Sequence, residues 1–148
     1  MPKTSTEIKA LQDAVTREVE AYLFYKNLAA RTRDEDSKDI FEMLAQEEVR
    51  HKENLELELM KRGCTVQDQG EPDWPGRIAG EEMGKFDLDY IDALRIAIQK
   101  EDSSVRTYIE MAASTKDSKA LDIYLGLAEE EMRHKLQFQA AYNRAMEE

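Results

Sequence analysis

Glu48-x-x-His51, within "QEEVRHKEN", and Glu131-x-x-His134, within "EEEMRHKLQ", repeat one spacing 83 residues apart and contain both histidines of the chain. On a helix, residues three apart project from one face, so each pair aims a carboxylate oxygen and an imidazole nitrogen at one point. That donor set suits iron, manganese or zinc and disfavours calcium, which takes oxygen. One such pair on a helix carries little weight, because most are solvated surface pairs. Two pairs at a fixed repeat, with Glu18 and Glu101 each 30 residues upstream of the matching glutamate, form a far more specific pattern.

The elements that would position these residues are four segments of helical period. They run from about Ser5 to Arg31, from about Ser37 to Arg62, from Asp87 or Asp89 to near Ser114, and from about Ser118 to Met146. The first has Thr4-x-x-Glu7 as a candidate capping box, and Gly63 stops the second. Connections near 32–36 and 115–117 are short, as between antiparallel neighbours. The stretch from about 63 to 86, "GCTVQDQGEPDWPGRIAGEEMGKF", contains two of the three prolines and five of the six glycines, and reads as a long crossover. The expected architecture is all-α: helical hairpins at about 5–62 and 87–146, joined by that crossover into a four-helix bundle and a single domain spanning 1–148.

The hairpins are tandem copies. With no gap, residues 8–55 match residues 91–138 at 19 of 48 positions, among them Leu11/Leu94, Glu18/Glu101, Tyr25/Tyr108, Glu48/Glu131 and His51/His134. Apolar patterning accounts for matched Leu and Ala, but not for matched Glu and His on the apolar stripe. Read as heptads, the stripes are Ile8, Leu11, Val15, Glu18, Tyr22, Tyr25, Ala29; then Phe41, Leu44, Glu48, His51, Leu55; then Ile91, Leu94, Ile98, Glu101, Val105, Tyr108, Ala112; then Tyr124, Leu127, Glu131, His134, Phe138. Every helix places acid or imidazole at mid-height of the face to be buried.

Energetics favours metal there. An uncompensated buried carboxylate costs several kcal/mol even after relaxation, and a domain's whole stability is about 5–15 kcal/mol. Arg50, Lys52, Arg133 and Lys135 fall off the stripe. Two divalent cations would balance four carboxylates. Tyr25 and Tyr108, each seven residues after a candidate ligand, fit either core packing or a hydrogen bond to a ligand carboxylate. Glu47 and Glu130 also repeat but lie beside the stripe and read as structural. Met43, Met111 and Met132 read as filler.

Composition narrows the classes. With 41% apolar and 36% charged residues, and no apolar run near the roughly 20 residues of a membrane span, the chain reads as soluble and helical. "MPKTSTEIKA" lacks the apolar core of a secretory signal, so the cytoplasm is the expected compartment. A net charge of −11 argues against nucleic acid, and one cysteine, Cys64, permits neither an internal disulfide nor a Cys-x-x-Cys knot.

The segments "REVEAYLFYKNLA", "MLAQEEVRHKENL", "IQKEDSSVRTYIEMAA" and "GLAEEEMRHKLQF" resemble the rubrerythrin branch of the ferritin-like superfamily, over about residues 5–146. The resemblance implies a ferritin-like bundle with a di-iron site, the arrangement known for ferritin-like carboxylate proteins. It implies Glu18, Glu48, His51, Glu101, Glu131 and His134 as ligands, with Glu48 and Glu131 as candidate bridges and Tyr25 close by. The cofactor would be two iron ions, with manganese or zinc as alternatives. The implied activity is reduction of hydrogen peroxide or dioxygen in oxidative-stress protection; relatives oxidise Fe²⁺ or store iron, so ferroxidase and non-catalytic storage stay open. Two departures stand out. The rubredoxin-like module with two Cys-x-x-Cys pairs is not in this sequence, so electrons would come from a separate, rubredoxin-like protein. Ser104 occupies the position, one turn after Glu101, where rubrerythrins usually carry a further glutamate. Relatives commonly assemble, and a homodimer is expected, with Trp74 on the chain's own bundle or at an interface.

Overall fold

Between residues 3 and 62 there is neither a glycine nor a proline, so nothing in the residue types breaks the helical periods on either side of the short connection near 32–34. The computed structural model describes residues 5–66 and 89–147. Four helices account for nearly all of them: α1 (Ser5–Arg31), α2 (Glu35–Lys61), α3 (Tyr90–Ser114) and α4 (Ser118–Glu147). Among the described residues there is no strand, and the chain forms two compact units, one carrying α1 and α2 and the other α3 and α4. In each, the two helices pack as an antiparallel hairpin. Thr4, Trp74 and nearly all of the 63–86 crossover lie outside the described residues.

The helix ends show how the sequence breaks its periodicity. Asp34 takes an extended conformation before α2, and its carboxylate accepts hydrogen bonds from the Ser37 N–H (2.9 Å) and hydroxyl (2.6 Å). The helix therefore starts two residues earlier than Ser37, because the cap lies at Asp34. Asp117, the repeat equivalent of Asp34, accepts from the Ala120 N–H (2.9 Å), and Asp89 caps α3 through the Asp92 N–H (2.8 Å). The C-terminus of α2 closes with Gly63 at φ +88°. There the Cys64 N–H reaches Leu59 O and the Gly63 N–H reaches Met60 O, satisfying two terminal carbonyls. A side chain at that φ would be strained, which is why glycine stands there.

Inside the first unit, Leu11, Ala14, Ala21, Tyr25 and Leu28 of α1 and Phe41, Leu44, Ala45, Leu55 and Leu59 of α2 are buried. Inside the second, Ala93, Leu94, Ala97, Val105, Tyr108 and Ala112 of α3 and Ala120, Tyr124, Leu127, Ala128 and Phe138 of α4 are buried. The heptad reading of α2 holds throughout. In α1 and α3 it is displaced at several positions: Val15, Tyr22, Ile91 and Ile98 are half-buried, while Ala14, Ala21, Ala93 and Ala97 are buried. A straight helix drifts from a strict 3.5-residue repeat, and alanines at the closest approach are covered completely while bulkier neighbours flank them.

The Asp34 cap supports a test of this local reading. Asp34→Ala should destabilise the protein by about 1 kcal/mol in chemical denaturation at neutral pH. The hydroxyl and N–H of Ser37 hold the Asp34 carboxyl below its ordinary value. The difference between the two proteins should therefore be full above pH of about 4, and shrink as pH falls through the lowered folded value. A pH-independent difference would contradict the cap.

Candidate metal centre

Glu18 sits midway along α1, between Ala14 and Ala21 on the buried stripe, and Glu48 and His51 occupy successive turns of α2. The hairpin packing brings them together. Their exposures are 3%, 2% and 0%. His51 Nδ1 stands 3.5 Å from Glu18 Oε1 and 3.4 Å from Glu48 Oε1. One ligand atom from each of the three lies within 4.8 Å of the other two.

The second hairpin builds the same group from the repeat positions. Glu101 of α3 and Glu131 of α4 are buried, and His134 Nδ1 lies 3.1 Å from Glu101 Oε1 and 4.0 Å from Glu131 Oε1. Glu101, Glu131 and His134 likewise lie within 4.8 Å of one another. The copies differ in one respect: the His51 side chain is 0% exposed and that of His134 is 13% exposed.

These residues fit a transition-metal ion. Two donors on one ion at about 2.1 Å stand about 3.0–3.4 Å apart at tetrahedral to octahedral angles, close to most of the separations above. In each group one imidazole faces two carboxyl groups, so keeping both carboxylates ionised in the buried site calls for a cation. Glu101 Oε2 is buried with no hydrogen-bond partner among the described residues, an expensive arrangement that a cation would relieve. The off-stripe cations have acidic partners of their own: Arg50 with Glu47, Lys52 with Glu56 (3.1 Å), Arg133 with Glu129 (4.0 Å) and Lys135 with Asp102 (2.8 Å).

All six ligand candidates thus fall into two groups of matching composition, one per hairpin. A comparison across the whole sequence adds that the rubrerythrin family model matches residues 9–142. The chain belongs to the rubrerythrin family. Comparison with curated proteins and with solved structures returned no match. Membership of the rubrerythrin family makes the fold a ferritin-like four-helix bundle of two hairpins, and it is the family of di-iron carboxylate proteins to which the two Glu/Glu/His groups conform.

The two tyrosines are buried in ring stacks that tie each hairpin together. Tyr25 of α1 lies 6.3 Å from Phe41 of α2, and Tyr108 of α3 lies 6.3 Å from Tyr124 of α4, both nearly parallel. Glu47 is half-buried beside the stripe, as is Glu130. Met43 is exposed, and Met111 and Met132 are half-buried.

Helix-by-helix reading missed Asp102 and Lys135, which follow Glu101 and His134 in sequence and bridge α3 to α4 beside them. The signal was available in the spacing, because 102 to 135 is the same 33-residue separation as 101 to 134. The hydrogen bond from Lys135, with Arg106 adding its charge, holds the Asp102 carboxyl below its ordinary value.

The electrostatic argument makes a specific prediction. Glu48→Gln and Glu131→Gln preserve side-chain volume while removing a buried charge. The metal-free variants should unfold at or above the wild-type temperature, and should lose most of the stabilisation that divalent metal gives the wild type. Loss of several kcal/mol in the metal-free state would instead make these glutamates structural.

Proposed function

We propose that this protein is a di-iron oxidoreductase of the rubrerythrin type that reduces hydrogen peroxide at a centre held by Glu18, Glu48, His51, Glu101, Glu131 and His134. The observation that carries the reading is the recurrence of one buried Glu/Glu/His group in both hairpins of a chain in this family. The family match runs from 9 to 142, through both hairpins and all six candidate ligands. Held by these residues, a ferrous pair would supply the two electrons that, with two protons, convert peroxide to two waters.

The chain's own residues set the conditions for that chemistry. Four carboxylates fix the charge of the centre at a value that two divalent ions balance. His51 and His134 set the two ends. By the family resemblance, Glu48 and Glu131 would be the candidates to bridge such a pair. Tyr25 and Tyr108 fit as hydrogen-bond donors to ligand carboxylates, with their rings held by Phe41 and Tyr124. Burial around Glu18, Glu48 and His51 keeps bulk water from that end.

With no Cys-x-x-Cys pair in the sequence, the electrons that restore the ferrous state would come from a separate redox protein of rubredoxin type. The reading includes a cytoplasmic homodimer. No described helix is long and apolar enough to cross a membrane.

Anaerobic loading with two equivalents of Fe²⁺, followed by rapid mixing with one equivalent of peroxide or of dioxygen, tests the activity. Peroxide should oxidise the iron at least tenfold faster, with a rise in near-ultraviolet and visible absorbance. Faster oxidation by dioxygen would favour a ferroxidase. No spectral change with either oxidant would leave only metal binding or storage.

A further inference from the structure

The repeat makes each hairpin a control for the other. At the ligand level, His51 faces Glu18 and His134 faces Glu101 across a 33-residue separation. One residue further along both helices, the copies diverge. In the second hairpin the Lys135 ammonium donates to the Asp102 carboxylate at 2.8 Å, linking α4 to α3, and Arg106 Nε holds the other Asp102 oxygen at 3.1 Å. In the first hairpin the equivalent pair is Lys52 and Val19, which forms no ion pair; Lys52 turns back along α2 to Glu56.

The divergence coincides with a difference in burial. His51 is fully enclosed, with Glu18 Oε1 at 3.5 Å and Glu48 Oε1 at 3.4 Å from its Nδ1. His134 retains 13% exposure, at an edge where packing restrains it less. The Asp102–Lys135 bridge lies directly beside this less enclosed position and joins the two helices that carry Glu101 and His134. Contacts at consecutive positions, His134 to Glu101 and Lys135 to Asp102, tie α4 to α3 at this level, in addition to the packing of the helices on one another.

We infer that Asp102 and Lys135 are positioning residues for the second metal half-site, substituting for the enclosure that holds His51 in the first. This rests on the di-metal reading above. The pair touches no metal; it acts through the helix register that brings Glu101 and His134 to 3.1 Å. Surface ion pairs usually contribute little to global stability, so the effect falls on the local geometry and not on the fold. Groups hydrogen-bonded directly to metal ligands typically change metal affinity by about 10–100-fold when removed, and a pair that acts one step further out, through helix register, is expected at the lower end of that range.

The sign of the effect separates positioning from simple electrostatics. Lys135→Met removes a positive charge next to a cation site, which by charge alone would tighten metal binding. Positioning requires that it weaken.

Cobalt(II) titration of the full chain, followed by its visible absorption, provides the test. Wild-type protein should bind two ions. Lys135→Met and Asp102→Asn should each weaken one of the two by about tenfold or more with helical content unchanged. Lys135→Arg should restore binding to within about threefold, and Lys52→Met should leave both ions as in wild type. Proton NMR of the cobalt protein identifies the affected half, through the shifted imidazole N–H signal that His134→Gln abolishes. Two ions bound as tightly or more tightly in Lys135→Met would overturn the inference while leaving the di-metal reading intact. Fewer than two ions in wild type would defeat that reading and this inference together.

Discussion

Placing carboxylates on the apolar stripe of every helix is the constraint from which the rest of this molecule follows. Each hairpin encloses two glutamates and one imidazole among leucines, alanines and aromatic rings. With both carboxylates ionised, one imidazole cannot balance either group. Desolvation of such a group costs several kcal/mol, comparable with the margin by which a domain of this size is stable. A bound cation turns that cost into an affinity, because the fold has already removed the water that would compete with the ion. Burial and metal binding are therefore one property seen from two sides.

Duplication explains how so specific a set of six side chains could arise. One hairpin carries a Glu, Glu and His group, and the tandem copy carries a second of the same composition. The copies have kept the ligands, the facing aromatic rings and the aspartates that cap α2 and α4. They have diverged around the ligands. Phe41 is replaced by Tyr124, Val19 by Asp102, and a fully enclosed histidine by a partly exposed one. These substitutions make the two halves inequivalent, which suits chemistry in which two metals need not behave alike.

Much of this was legible in the sequence for a physical reason. Ligand and core positions share the helical period, so Glu18, Glu48, His51, Glu101, Glu131 and His134 stood out as polar residues where apolar ones belong. The helix ends were readable within about two residues, and Gly63 marked the end of α2. Less legible were the features that depend on distance between helices. A heptad template placed Val15 and Ile98 in the core, but close approach selected Ala14 and Ala97. Lys135 was read as a surface charge poorly placed to serve the centre, because its partner Asp102 lies on another helix, 33 residues away. Sequence periodicity records which face is buried; it does not record how closely a neighbouring helix passes.

Crystals grown with ferrous iron under anaerobic conditions, measured on both sides of the iron absorption edge, test the central claim most directly. The account predicts two anomalous peaks per chain, one against Glu18, Glu48 and His51 and one against Glu101, Glu131 and His134, close enough to share a carboxylate. Peaks confined to the acidic surface, or glutamates that remain buried without iron beside them, would contradict it.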